Sequence, residues 1–314
     1  MIQVEHLTKY YGTTRGIEDL NFQVSKGEVL GFLGPNGAGK TTTMKILTCY
    51  QPPTSGTAKI FGHDILEDPL EVRKKIGYLP EKNPLYTDMT VREYLNFVGE
   101  LKSIDVGKLK QRVNYSIERC GLENVQRRTI GKLSKGYQQR VGIAQAIIGD
   151  PELLILDEPT IGLDPRQIID IRELIKDLGK ERTVILSSHI LPEVSQVCNR
   201  IVVINQGRLV AVDTPDNLRS RLKKTSVITI KIHESPESQN AKGIVESIEG
   251  VILVNEKEST DDVKVLTVES DPDKDLRYEI AKELINENVP LLEIFSEELS
   301  LEDIFLKLVT EEVS

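Results

Sequence analysis

The chain of 314 residues has no long apolar run. Its longest are strand-sized pieces such as Leu153–Leu156, far short of the ~20 residues that a membrane-spanning helix needs. The N-terminal "MIQVEHLTKYYG" lacks the basic start and apolar stretch of a signal peptide. Cysteine is scarce: Cys49, Cys120 and Cys198 lie far apart, without metal-ligand spacing, as expected in a reducing compartment. Together these absences predict a cytoplasmic protein. An excess of basic charge is missing as well. Residues 271–314 hold 13 acidic and 4 basic side chains, which accounts for the whole net charge of −9; the preceding 270 carry 36 of each sign. A nucleic-acid partner is therefore not expected, and the acidic tail reads as a solvated surface. The content of 39% hydrophobic and 28% charged residues suffices for an ordinary core, in one large domain plus a smaller one.

Against that plain background, "VLGFLGPNGAGKTTTMKIL" (Val29–Leu47) is an apolar strand, a glycine loop and a helix pattern. Gly34, Gly39, Lys40 and Thr41 fit the phosphate-loop spacing in the strand–loop–helix context that it requires. Glycines let backbone N–H groups approach phosphate oxygens, and the helix N-terminus adds positive potential. Lys40 is expected to reach the β- and γ-phosphates, the Thr41 hydroxyl to ligate Mg²⁺, and Thr42 to add a further phosphate contact. A second strand must supply a carboxylate for the metal. "PELLILDEPTIGLDP" does so: the buried-strand pattern Leu153–Leu156 ends in Asp157 and Glu158. Asp157 is expected to hold Mg²⁺ through its waters, and Glu158 to orient or deprotonate an attacking water.

A puzzle follows downstream. "LSKGYQQRVGIAQAI" (Leu133–Ile147) places a serine and a glycine ahead of an amphipathic helix, a second place to present N–H groups to an anion. Tyr137, Val141, Ala144, Ile147 and Ile148 form its predicted buried stripe. Lacking a lysine-bearing glycine loop, such a site is too weak to hold ATP alone.

With "GPNGAGKTT", "LSKGYQQR", "LILDEP", "GLDP" and "SSHIL" in this order, residues 1–220 resemble the nucleotide-binding subunit of an ATP-binding cassette (ABC) transporter. Within that family it is similar to bacterial ABC-2, exporter-type members of the multidrug or gliding-motility kind. The resemblance implies an α/β phosphate-loop NTPase: a RecA-like core with an antiparallel β subdomain and a helical subdomain at about 82–145. It also resolves the puzzle. "LSKGYQQR" would be the signature motif, whose Ser134 and Gly136 clamp the γ-phosphate of an ATP held by a second chain. Nucleotide then glues a head-to-tail homodimer. The whole loop Gly34, Pro35, Asn36, Gly37, Ala38, Gly39, Lys40, Thr41 and Thr42 would bind ATP. Tyr11 would stack on adenine, with Tyr10 as the competitor. Asp164 would be the loop acid linking the two sites, and His189 the switch histidine on the γ-phosphate.

Four positions depart from the family pattern. Glu81, in "IGYLPEKNPLY", stands where a glutamine usually contacts Mg²⁺ and the attacking water; it remains an oxygen ligand but adds negative charge beside Glu158. Lys135 and Tyr137 replace the usual signature residues, and Ile161 replaces a small polar one.

Between Glu81 and the signature, Thr90–Leu101 and Lys108–Leu122 read as helices, the first with Val91, Tyr94, Leu95, Val98 and Leu101 on its apolar face. The resemblance places a groove here for a helix of a transmembrane partner; Tyr86 and Met89 either line it or pack in the core. "IVVINQGRLVAVD" reads as the last core strand and "DTPDNLRS" as a turn. Beyond it, residues 221–314 follow the order β-α-β-β-α-β: strands at Val227–His233, Val251–Asn255, Val263–Glu269 and Leu291–Phe295, helices at Gln239–Ile248 and Lys274–Asn288. That order predicts a small ferredoxin-like α+β domain, closed by a helix at "SLEDIFLKLV". A packing or dimer-stabilising appendage and a regulatory or partner-binding domain are both open for it.

The function implied is that of an ATPase which dimerises around two ATP molecules and drives export through separate transmembrane permease subunits, from the inner face of the membrane. The alternative is a soluble ABC ATPase acting on ribosomes or DNA. Single copies of each motif, no extended heptads and no basic excess disfavour it. Nothing in the sequence names a cargo.

Overall fold

The computed structural model describes residues 1–222, 226–260, 262–271 and 274–297. These fall into two compact units, the first spanning Met1–Pro215 and the second beginning at Asp216.

The first unit opens with strands β1 (Ile2–Tyr11) and β2 (Thr14–Val24), then β3 (Val29–Leu33) and helix α1 (Lys40–Leu47). Next come β4 (Ser55–Ile60), β5 (His63–Asp64), α2 (Pro69–Lys75) and β6 (Ile76–Leu79). Helices α3 (Val91–Leu101), α4 (Val106–Arg119) and α5 (Lys135–Ile147) precede β7 (Leu153–Asp157) and α6 (Pro165–Gly179). The unit ends with β8 (Thr183–Ser188), α7 (Leu191–Ser195), β9 (Arg200–Asn205) and β10 (Arg208–Asp213), and α8 (Pro215–Leu222) crosses into the second unit.

Two sheets result, one antiparallel in the order β2-β1-β4-β5 and one of six strands in the order β10-β9-β3-β8-β7-β6. In the larger sheet β9, β3, β8, β7 and β6 run parallel, and β10 closes it as the antiparallel partner of β9. Strands β3, β7 and β8 are buried at every residue, which suits the apolar runs at Leu153–Leu156 and Val184–Leu186 and the largely apolar β3. Their adjacency decides the site. Leu33 pairs with Ser188, and Asp157 with Ser187, so the loops that follow three neighbouring strands emerge side by side at their carboxyl ends.

Several local expectations change. "IVVINQGRLVAVD" is a hairpin rather than one strand, because Gln206 (φ +46°) and Gly207 (φ +80°) both take left-handed conformations that suit a tight hairpin turn. "DTPDNLRS" is not merely a turn, since Pro215 starts α8 as a first-turn proline can. Helix α3 begins one residue later than expected, with Thr90 as N-cap in a capping box with Glu93. Leu101 is 68% exposed and leaves the predicted apolar face at its frayed end; Tyr137, 37% exposed, likewise leaves the predicted stripe of α5. Helix α4 begins two residues earlier than expected, where Asp105 caps it by accepting from the Gly107 N–H.

In the second unit, β11 (Ser226–His233), β12 (Val251–Thr260), β13 (Val263–Ser270) and β14 (Leu291–Glu297) form one antiparallel sheet in the order β12-β13-β11-β14. Helices α9 (Ala241–Glu246) and α10 (Arg277–Asn286) follow the first and third strands. The order is that of a ferredoxin-like fold. Ile228, Ile230, Ile232, Leu266 and Val268 from the sheet pack on Ala241, Val245, Ile280 and Leu284 from the helices. Both helices are shorter than the sequence pattern suggests; a 3₁₀ turn at Pro236–Asn240 takes the place of the first predicted turn of α9. The predicted closing helix at "SLEDIFLKLV" lies outside the described residues.

Candidate nucleotide site

Between β3 and α1 the chain turns through Gly37 (φ +80°) and Gly39 (φ +105°), conformations that residues with a Cβ resist. Gly39 has a second reason to be glycine: a Cβ there would stand 2.5 Å from Ile17 Cγ2 and 2.6 Å from the Gly16 carbonyl. Gly34 is equally confined, 2.4 Å from the Ile204 carbonyl by the same construction. The Gly207 N–H donates to the Ala38 carbonyl (3.0 Å), and the Glu18 N–H to the Gly207 carbonyl (2.7 Å). The loop is thus wedged between β2 and the β9–β10 hairpin. Pro35 accepts from the Ala38 N–H at 3.1 Å and tightens the turn.

Above this loop lies a cavity of about 340 Å³, lined by Asn36, Gly37, Gly39, Lys40, Thr41, Thr42, Glu81, Glu158, Gly16 and Ile161. Lys40 is buried. Its ammonium donates to the carbonyls of Gly34 (2.7 Å) and Pro35 (3.2 Å) and lies 3.2 Å from Glu158 Oε1. Glu158 sits at φ +49°, a strained conformation for glutamate, with its N–H held by Ser187 Oγ at 2.9 Å. Its other oxygen, Oε2, meets His189 Nδ1 at 3.0 Å. Lysine and histidine therefore grip the same carboxylate from two sides.

Asp157 is fully buried and accepts from Ser187 Oγ at 2.6 Å through Oδ1, while Oδ2 has no hydrogen-bond partner. Burial pushes its carboxyl pKa up; the Ser187 and Thr41 hydroxyls work against that, and the charges of Glu158 and Glu81 add to it. A buried carboxylate with a spare oxygen, a threonine hydroxyl beside it and no cation of its own suits a hard divalent ion. Among the described residues no group of three or more His, Cys, Asp or Glu side chains is placed to hold a metal, so a metal here relies on Thr41 and solvent as well.

Tyr10 and Tyr11 separate clearly. The Tyr10 hydroxyl donates to Glu18 Oε1 at 2.8 Å; that bond, with Arg208 and Arg15, draws the Glu18 carboxyl down to about 2. Tyr11 is 47% exposed, and its ring edge lies where a Cβ on Gly16, a cavity residue, would come within 2.9 Å. Its hydroxyl donates to Gln51 Oε1 (3.0 Å), and Lys9 stands 5.6 Å from its ring centre. Of the two, Tyr11 is the one whose ring lies against Gly16, a residue of the cavity wall.

Ser134 and Gly136 do not join this cavity. They line another of about 220 Å³ with Gly121, Tyr137, Arg140 and Gln167. Ser134 caps α5 by accepting from the Tyr137 N–H at 3.4 Å, and Asp164 caps α6 by accepting from the Gln167 N–H at 2.9 Å. Ser187, Gly207 and Gly16 also shape the site, and sequence reasoning missed them. Ser187 was visible inside "SSHIL" and Gly207 in the turn pair Gln206–Gly207; nothing in the sequence marked Gly16, whose constraint is the neighbouring Tyr11 ring.

A mostly parallel sheet with a phosphate loop and a carboxylate-ended strand is the arrangement of a phosphate-loop NTPase, and the separate serine–glycine helix start agrees with an ATP-binding cassette. The ABC transporter family matches residues 17–161. The chain is 41% identical over 226 residues to the bacitracin transport ATP-binding protein BcrA of Bacillus licheniformis, spanning 71% of this chain and 73% of that protein. It is 35% identical over 262 residues to the daunorubicin/doxorubicin resistance ATP-binding protein DrrA of Streptomyces peucetius, spanning 82% and 78%. A dimeric ATP-binding cassette in a post-hydrolysis state with ADP and Pi superposes with TM-score 0.63 at 26% identity, over 68% of this chain and 99% of that one. The chain belongs to the ABC transporter family, as an ATP-binding subunit with ATP hydrolase activity.

Proposed function

We propose that this chain is the engine of a membrane exporter, a homodimer that closes around two ATP molecules and works on separate transmembrane subunits at the cytoplasmic face. One observation carries the reading: each chain holds two phosphate-facing features, the Lys40 cavity and the Ser134–Gly136 helix start, which line different cavities. Only two chains arranged head to tail let both features face one nucleotide.

Within a site, the N–H groups of the Gly34–Thr42 loop and Lys40 receive the phosphates, and Tyr11 covers the adenine. The partner's copy of the signature segment closes the γ-phosphate side, and Asp164 stands at the seam. Mg²⁺ fits Thr41, the spare oxygen of Asp157 and Glu81, where it would neutralise phosphate charge. Glu158 orients the attacking water and takes up its proton, held in place by His189; Lys40 leaves Glu158 for phosphate as nucleotide enters. Export, rather than import, is supported by the antibiotic resistance and transport names of the two relatives.

The exposed ring of Tyr86 packs edge-on against Phe97 at 5.4 Å and near Tyr94 at 6.1 Å, giving an aromatic surface on α3 suited to a helix of a membrane partner. Among the described residues no helix is long and apolar enough to cross a membrane, so transport calls for such a partner. The test is co-purification from native membranes of tagged Glu158→Gln protein trapped with ATP and Mg²⁺. Recovery of a polytopic membrane protein is expected; recovery of ribosomes or soluble partners alone would sink the exporter reading.

A further inference from the structure

We infer that Glu193 is a positioning residue for hydrolysis: through Thr160 it fixes the loop that leaves β7, and so sets how Glu158 meets His189. This rests on the roles proposed above for Glu158 and His189.

Neighbouring strands deliver the four residues in pairs. β7 ends at Asp157 and leads into Glu158, Pro159 and Thr160; β8 ends at Ser188 and leads through His189 and Ile190 into α7. Asp157 pairs with Ser187, so the two segments start side by side. His189 Nδ1 meets Glu158 Oε2 at 3.0 Å, and Thr160 Oγ1 donates to Glu193 Oε2 at 2.5 Å. Two side-chain contacts therefore join the same two segments. The fixed ring of Pro159, between Glu158 and Thr160, limits how far one contact can shift without the other.

The two ends of the second contact are not equally free. Val194 is fully buried and seats α7 on β3, so closely that a Cβ on Gly31 would stand 1.9 Å from Val194 Cγ1 and 3.1 Å from Cys198 Sγ. Glu193 thus stands on the body of the sheet. The other end belongs to a loop of short turns, in which the Ile161 N–H donates to the Glu158 carbonyl (3.2 Å) and the Leu163 N–H to the Thr160 carbonyl (3.2 Å). Glu158 itself is strained at φ +49°, a conformation that persists only where its surroundings hold it. Anchoring Thr160 holds the residue two places after Glu158, and with it Ile161 in the wall of the nucleotide cavity.

Chemistry separates positioning from packing. Thr160 and Glu193 are 7% and 8% exposed, and among the described residues Glu193 takes part in no ion pair. A buried carboxylate without a cation is costly, and a valine–methionine pair of similar shape would fill the same space with nothing to satisfy. The polar pair supplies what an apolar pair cannot, a bond of fixed length and direction.

The full-length chain carrying Thr160→Val and Glu193→Met together tests this. Melting temperature, the Kd for Mg²⁺-ATP and kcat are compared with those of the unaltered chain. The melting temperature should be equal or higher, because both polar partners leave together. The ATP Kd should stay within about twofold while kcat falls by about tenfold or more, as small misplacements of reacting groups cost. Thr160→Ser, which keeps the hydroxyl, should turn over like the unaltered chain. An unchanged kcat in the double variant, whatever its melting temperature, would mark a packing pair and overturn the inference; so would an ATP Kd that weakens as much as kcat falls. If the double variant does not fold, Thr160→Val alone is set against Thr160→Ser: a kcat lowered only in the valine variant supports the inference, and equal values overturn it. Undiminished hydrolysis in Glu158→Gln would remove Glu158 from its role, and this inference with it; that outcome is recognisable because Thr160 and Glu193 are then unaltered.

Discussion

Lys40 Nζ lies 3.2 Å from Glu158 Oε1, and both side chains are about 6% exposed. The two buried charges therefore neutralise each other. Burying either alone would be costly, so each charge offsets the burial of the other.

Replacing Glu158 by glutamine keeps the size and removes the base. ATP hydrolysis should fall by about 10²–10⁴-fold, the usual worth of a general base, with ATP still bound. A phosphate-release assay beside a nucleotide Kd measurement checks this; undiminished turnover would remove Glu158 from its role.

Asp157→Asn should raise stability while destroying Mg²⁺-dependent turnover. The sign follows from the pKa. Folding raises the Asp157 carboxyl above its ordinary value of 3.8, so the folded state binds a proton more readily than the unfolded chain does. Without metal, Asp157 therefore costs stability progressively as pH climbs from that ordinary value through the raised one, and the penalty is fully present above it. Asparagine carries no such penalty. Thermal melts of both proteins at neutral pH without Mg²⁺ should show the variant melting higher; a lower value would mean that the Ser187 hydrogen bond outweighs the buried charge.

Ser187→Ala removes the donor to Asp157 Oδ1 and the acceptor for the Glu158 N–H at once. Leaving those buried groups unpaired should destabilise the chain by about 1–3 kcal/mol. Hydrolysis should drop more than ATP affinity, because neither lost bond touches the phosphate loop. Urea unfolding and steady-state kinetics separate the two effects.

Glu81→Gln takes a negative charge away from Asp157, one of the influences that raise its pKa. The carboxyl should then ionise at lower pH. Mg²⁺-dependent hydrolysis of the variant should persist further into the acid range than that of the unaltered chain, with a higher rate near neutrality. Superimposable pH–rate profiles would show that the Glu81 charge does not reach the reaction.

Much of this was legible in the sequence because it is local. The glycine spacing from Gly34 to Gly39, the buried run Leu153–Leu156 ending in two acids and the serine ahead of α5 each dictate their own backbone, and the β-α-β-β-α-β order of the second unit follows from alternation alone. Where short-range pattern was ambiguous it misled: Leu101 and Tyr137 fall on apolar positions of their helices yet face solvent, since periodicity says which residues share a face but not where that face ends.

Relations across the chain were decided only by tertiary structure. Strand order places Ser187 beside both Asp157 and Glu158, pairs Lys40 with Glu158, and lets Gly207 brace Ala38, because hydrogen-bonded neighbours in a parallel sheet need not be neighbours in sequence. That Glu18 captures the Tyr10 hydroxyl while Tyr11 stays half-exposed was likewise set in three dimensions. Sequence sets which residues can bind phosphate, carry a proton or turn a loop; long-range strand pairing sets which of them meet.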